Sequence, residues 1–167
     1  MSLKSHLYQK ETVVDCHSYV MNETGSQGRV VVHNITGQSG TGGIMDDSDS
    51  IVKLPDVVYT SGEDVAGVLL TEVVNYDLTR QHSNQYQRQQ QVGGKVDLLK
   101  QGTIVTNDIA AGVTPGPGDR AYGTLFGKFT TLSDTLADQA GVSIKPVGTF
   151  RSAKDTDGYC KIDILVM

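Results

Sequence analysis

Val147-Gly148-Thr149-Phe150-Arg151-Ser152-Ala153-Lys154-Asp155-Thr156-Asp157-Gly158-Tyr159-Cys160-Lys161-Ile162-Asp163-Ile164-Leu165-Val166 reads as a β-hairpin. In its second arm Cys160, Ile162, Ile164 and Val166 alternate with Lys161, Asp163 and Leu165, the period of two of a half-buried strand. Asp157-Gly158 supplies the positive φ that a tight hairpin needs. The same grammar runs upstream, through Val105-Thr106-Asn107-Asp108, Gly112-Val113-Thr114-Pro115-Gly116-Pro117-Gly118-Asp119 and Ala121-Tyr122-Gly123. Short β-type runs alternate there with Gly, Pro and Asp turns, and no cluster of catalytic side chains interrupts them. Such a chain presents surface, which directs attention to interfaces.

Further strand-like runs lie at Thr12–Cys16, Arg29–His33, Val57–Tyr59, Gly94–Leu99, Gly102–Val105 and Tyr122–Phe126. Val65–Val74 suits a buried strand pair or a helix by periodicity; its β-branched content and the flanking Gly62 and Asn75 favour strand. Thr131–Ala140, with Leu132, Leu136, Ala137 and Ala140 at three-to-four spacing, is the best helix candidate. The expectation is an all-β single domain, a small β-barrel or sandwich with one minor helix, over residues 12–167. Residues 1–11 form an N-terminal arm that either stays mobile or packs on a partner.

A chain of 167 residues is most simply one domain. At that size folding buries about 70% of the extended chain's surface, so a core needs neither disulfide nor metal. Lys and Arg number 14 against 19 acidic residues, scattered rather than striped, so nucleic acid is not an expected partner. Cys16 and Cys160 lie far apart with no CxxC; pairing stays open, and a cytosol-made protein favours two reduced thiols. Met1–Lys10 lacks the apolar core of a signal peptide, and no run approaches the roughly 20 apolar residues of a membrane span. The expectation is a soluble, cytoplasm-made protein with no membrane partner.

Each stretch that hints at chemistry has a plainer reading. Gly123–Thr130 looks briefly like a phosphate loop, but Tyr122 stands where Gly belongs and Phe129 where Ser or Thr must reach the metal; Gly93-Gly94-Lys95 fails likewise. Pro115 and Pro117 remove donors that an anion cradle at Gly112–Gly118 would need, which favours a rigid turn. His6, His17, His33 and His82 are scattered without ligand spacing. Asp155-Thr156-Asp157-Gly158 opens like a calcium loop yet lacks the closing acidic residue, and Asp46, Asp47 and Asp49 suit a solvated loop. Neither a catalytic set, a metal site, a cofactor nor a small-molecule substrate is expected.

The longest low-apolar stretch is Asp77–Gln91, which includes Arg80-Gln81-His82-Ser83-Asn84-Gln85-Tyr86-Gln87-Arg88-Gln89-Gln90-Gln91. It cannot bury a face of its own, so it is either solvated or held by another subunit.

Three blocks carry a family resemblance. Val65-Ala-Gly-Val-Leu-Leu-Thr-Glu-Val-Val-Asn75-Tyr-Asp-Leu78, Val92-Gly-Gly-Lys-Val-Asp-Leu-Leu-Lys-Gln-Gly102-Thr-Ile-Val-Thr-Asn107 and Val147–Asp163 resemble tailed-bacteriophage capsid decoration (cement) proteins. The likeness covers about residues 57–167 and consists of strand-and-turn phrases. It implies a small β-rich domain, commonly trimeric, that sits on the capsid exterior and bridges neighbouring copies of the major capsid protein, with no catalytic motif. The location implied is the virion, after synthesis in the host cytoplasm. On that reading the bridging parts are the arm, through Lys4, His6 and Tyr8, and the Gln-rich segment, through Arg80, Tyr86 and Arg88, residue types that suit interfaces. The alternative is a phage tail or surface module binding a host receptor or glycan, which needs exposed aromatics on loops. A small β-barrel hydrolase would need the phosphate or metal motif that the glycine loops fail to supply.

Overall fold

The predicted hairpin is present. The computed structural model describes residues 13–15, 19–34, 50–55, 64–76, 89–131 and 146–166. In it β11 (Gly148–Phe150) runs antiparallel to β12 (Cys160–Leu165), with Gly148 opposite Ile164 and Phe150 opposite Ile162. Cys160, Ile162 and Ile164 are buried while Lys161 and Leu165 are exposed, the alternation read from sequence. At the tip the Asp155 carboxylate accepts the N–H groups of Asp157 (3.0 Å) and Tyr159 (2.7 Å), and Gly158 takes φ 82°. Asp155 thus closes the turn by the local hydrogen bonding for which Asp is favoured there.

The sheet is organised by one long strand. Gly94–Leu99 and Gly102–Val105 read as separate runs, but Leu98–Thr106 is a single nine-residue strand, β8. It passes through Gly102 at φ 148°, a backbone state that a side chain disfavours. β12 pairs with β8 from Gln101 to Thr106, and β5 (Val65–Leu69) pairs with it at Leu98 and Leu99. β1 (Val13–Asp15) takes the other edge, because Gln101 faces both Leu165 and Val13, and Leu99 faces both Val68 and Val14. The register with β1 slips at Lys100, a β-bulge. That extra residue resets the in–out alternation, so Leu99 and Ile104, an odd number of residues apart, enter the same core.

The remaining strands are β2 (Tyr19–Met21), β3 (Val30–His33), β4 (Ser50–Lys53), β9 (Arg120–Gly123) and β10 (Phe129–Thr130). They complete one ten-stranded mixed sheet in the order β10-β9-β11-β12-β8-β5-β3-β4-β2, with β1 off this path. β2 runs parallel to β4; the other pairs along the path are antiparallel. The sheet curls until β2 meets the residues that lead into β8: Gly93 N–H donates to the Met21 carbonyl (2.8 Å) and Val96 N–H to that of Tyr19 (3.0 Å). A lone Val20–Lys95 bridge joins the two edges instead of a ladder, so the fold is a β-rich single domain and not a closed barrel. The ten-stranded sheet lines both cores, and Val73 of a separate two-stranded sheet joins the second. The first core gathers Val30, Leu99, Phe129, Phe150 and Ile162, and the second Met21, Val31, Leu69, Val73 and Leu98.

Val65–Val74 resolves as two strands, β5 and β6 (Glu72–Val74), broken at Leu70-Thr71. β6 pairs in parallel with β7 (Gln89–Gln91), so the Gln-rich stretch ends in a strand. The β7 side chains are largely exposed, and backbone pairing with β6 holds this strand. The strand expected over Tyr122–Phe126 stops at Gly123 and gives way to a single 3-10 turn, Leu125–Gly127. Gly127 causes the break: at φ 74° it lies so close to β3 that a Cβ would collide with the Val30 carbonyl oxygen. Apart from Thr131, the predicted helix at 131–140 lies outside the described residues, as do the arm, Val57–Tyr59 and the loop aspartates Asp46, Asp47 and Asp49. Among the described residues no helix is long and apolar enough to cross a membrane.

Candidate interaction surface

The glycine loops direct their donors inward. Gly116 N–H donates to the Asp119 carboxylate (2.7 Å) and Gly118 N–H to the Phe150 carbonyl (2.8 Å). Gly127 N–H donates to the Thr124 carbonyl (2.9 Å), Gly93 N–H to that of Met21 and Gly94 N–H to that of Gln91 (both 2.8 Å). An anion cradle needs such donors aimed outward at a ligand. These are rigid turns. No group of three or more His, Cys, Asp or Glu side chains that could hold a metal occurs among the described residues.

The most constrained polar cluster sits where β3 ends. The His33 ring lies 5.6 Å from that of Tyr19, and Lys100 Nζ donates to Tyr19 Oη (2.8 Å) while lying 5.1 Å from its ring centroid. Burial, with the nearby Lys100 charge, lowers the His33 pKa below its ordinary value; Asp64 pulls weakly the other way. The cluster joins the β-bulge at Lys100 to β2 and β3, so its role is to fasten strands. Cys160 is a buried free thiol whose pKa burial pushes up, which makes it a poor nucleophile.

Among the described residues two surfaces present groups outward. The first is the solvent side of β8, β12 and β11. Thr103, Asp163 and Thr149 form a row across three strands, Thr103 Oγ1 donates to Asp163 (2.6 Å), and Arg151 pairs with the same carboxylate. Beside this row lies an open hollow of about 350 Å3 reaching the half-exposed Leu165. The second surface is built around the Leu125–Gly127 turn. Phe126 N–H donates to the Pro55 carbonyl (3.1 Å), which pins the turn while Phe126 itself stands at φ 57° with 62% of its surface exposed. A left-handed conformation costs a non-glycine residue roughly 1–2 kcal/mol. An exposed Phe forgoes most of the roughly 1.5–3 kcal/mol that burial would return.

A Cβ on Gly127 would come within 2.9 Å of Arg29 Cβ, so this turn abuts Arg29. Arg29 pairs with Asp108 at 3.3 Å and lines a second hollow, of about 320 Å3, together with Ser26, Glu72, Val73, Asn75 and Tyr76. Tyr76 is 41% exposed and donates its hydroxyl to Gln89 Oε1 (2.9 Å), joining β7 to this surface.

The interface residues expected from sequence, Lys4, His6, Tyr8, Arg80, Tyr86 and Arg88, all lie outside the described residues. The surface around Phe126 and Arg29 was not foreseen. Phe126 reads as the end of a strand unless Gly127 is taken as a break, and Arg29 and Glu72 are far apart in sequence. No protein-family model matches the chain, and no curated protein matches it.

Proposed function

We propose that this chain is a non-catalytic structural virion protein that binds the outside of a phage capsid and cements neighbouring major capsid subunits, acting as a homotrimer. The observation that carries the reading is the placement of the three blocks with a decoration-protein resemblance. They are separated in sequence, yet they supply β5, β8 and the β11–β12 hairpin, which adjoin one another in the sheet. The resemblance therefore falls on one continuous structural unit. Residues of that unit pack into both cores, and a polar row lies on its outer side, which suits a lattice-clamping body. Many copies at symmetric positions let an interface of about 1,000 Å2 or more per contact act collectively.

The test is co-sedimentation with empty expanded heads. Binding at fixed stoichiometry is expected, and replacing Arg80, Tyr86 and Arg88 together by Ala should weaken it without altering the circular dichroism spectrum. A chain that stays in the supernatant would remove the capsid reading. Exposed Phe126 and Tyr76 favour the second reading, a receptor- or glycan-binding module, since aromatic faces are what such a module needs. Selective signal on a glycan array would then replace the first.

A further inference from the structure

We infer that the surface around Phe126, Arg29, Glu72 and Tyr76 is a contact with a second copy of this chain, in which Phe126 of one copy seats in the hollow beside Tyr76 of the next. The inference rests on the homo-oligomer part of the reading above and not on its capsid part.

Three observations converge on it. Phe126 occupies a position for which Gly or Asn is the better choice, because its φ is 57° and its ring is turned to solvent. Neither backbone preference nor burial within the chain accounts for a Phe there, whereas a buried contact with another molecule does. The neighbouring hollow has the size to receive it. At about 320 Å3 it is larger than the roughly 150 Å3 cavity that holds a benzene ring, with buried Val73 in its lining and the exposed Tyr76 ring at its side.

The charges select the occupant. Glu72 lines the hollow, and among the described residues its carboxylate has no ion-pair or hydrogen-bond partner. Arg29, 24% exposed, engages Asp108 through Nε, which leaves guanidinium donors for a further acceptor. One surface therefore offers an aromatic knob, an aromatic-sided hollow, a cation and an unmatched anion. Its natural complement is itself: Glu72 of one copy meets Arg29 of the next as the knob enters the hollow.

Size-exclusion chromatography with light scattering over a concentration series tests this on the full chain, for the wild type, Phe126→Asn and Glu72→Lys, with capsid pelleting run alongside. The wild type should be oligomeric. Each variant should raise the dissociation constant at least ten-fold with its circular dichroism spectrum unchanged. If Phe126→Asn alters the spectrum, Glu72→Lys decides, since it changes a half-buried charge that has no partner among the described residues. A monomeric wild type overturns the inference together with the homo-oligomer reading. An oligomeric wild type whose variants stay oligomeric overturns the inference alone. Variants that keep their oligomeric state but stop pelleting with heads assign this surface to the capsid, and so overturn the self-contact while leaving the capsid reading standing.

Discussion

β3 and β12 are both rich in aliphatic residues, yet they tolerate change in opposite ways. In β3 Val30, Val31 and Val32 are all buried, and neighbouring side chains enter different cores: Val30 packs with Phe129 and Ile162, Val31 with Met21 and Leu98. In β12 every second residue is buried and the rest meet solvent. A strand between two cores has no free face, whereas a strand at the boundary of one core has half its positions to vary. The length of an apolar run therefore counts how many faces of a strand are covered.

The sharpest way to break that comparison is to place the same polar residue in each strand. Val31→Asn should cost about 4 kcal/mol, because it removes burial worth roughly 2 kcal/mol and leaves an amide unsatisfied in the core. Lys161→Asn, on the exposed side of β12, should stay within about 0.5 kcal/mol of wild type. Urea denaturation of both variants checks this; equal losses would mean that β12 has no free face.

A smaller effect is expected where β3, β5 and β8 meet. Gly67 lies opposite Val31 at φ 158°, and a Cβ there would stand 2.9 Å from the Leu99 carbonyl oxygen. Gly67→Ala should cost roughly 1–3 kcal/mol, read as a lower denaturation midpoint at unchanged slope. Gly158→Ala in the hairpin tip, where nothing lies within 4 Å, provides the comparison, since it feels only the positive φ of 82°. A greater loss at Gly158 would mean that close approach of backbones matters less than turn conformation.

The smallest effect separates the strand ends. His33 terminates β3 half-buried, near Lys100 and Asp64, and its pKa is lowered chiefly by burial. A lowered folded value means that the unfolded chain binds the proton more readily. Its contribution to stability is therefore complete above its unfolded value of about 6.5 and is lost as pH falls below that toward the folded value. The unfolding free energy of the wild type minus that of His33→Gln should be flat from pH 8 to 7 and decline below about 6.5. A difference independent of pH would remove His33 from the acid response.

Much of this could be read from residues alone, for a physical reason: side-chain alternation and turn chemistry are local. Cys160-Lys161-Ile162-Asp163-Ile164 declares one buried face, Arg29–His33 declares a strand, and the Asp155–Gly158 stretch declares a tight turn, each within a few residues. The expected interface residues Arg80, Tyr86 and Arg88, by contrast, lie outside the described residues. Local pattern also placed Phe126 in a strand, because its aromatic ring suits one. What overrode that preference was the contact of Gly127 with β3, nearly a hundred residues earlier in the chain.

By itself, then, the sequence determined that this protein is an all-β domain, that its last strand has one covered face, and where the hairpin turns. Only the tertiary structure decided that one sheet curls without closing, that a bulge at Lys100 brings Leu99 and Ile104 into one core, and that the Leu125–Gly127 turn abuts Arg29 at the hollow lined by Glu72 and Tyr76. Those outcomes depend on contacts between segments far apart in the chain, and neither periodicity nor turn chemistry encodes which distant strand will lie alongside.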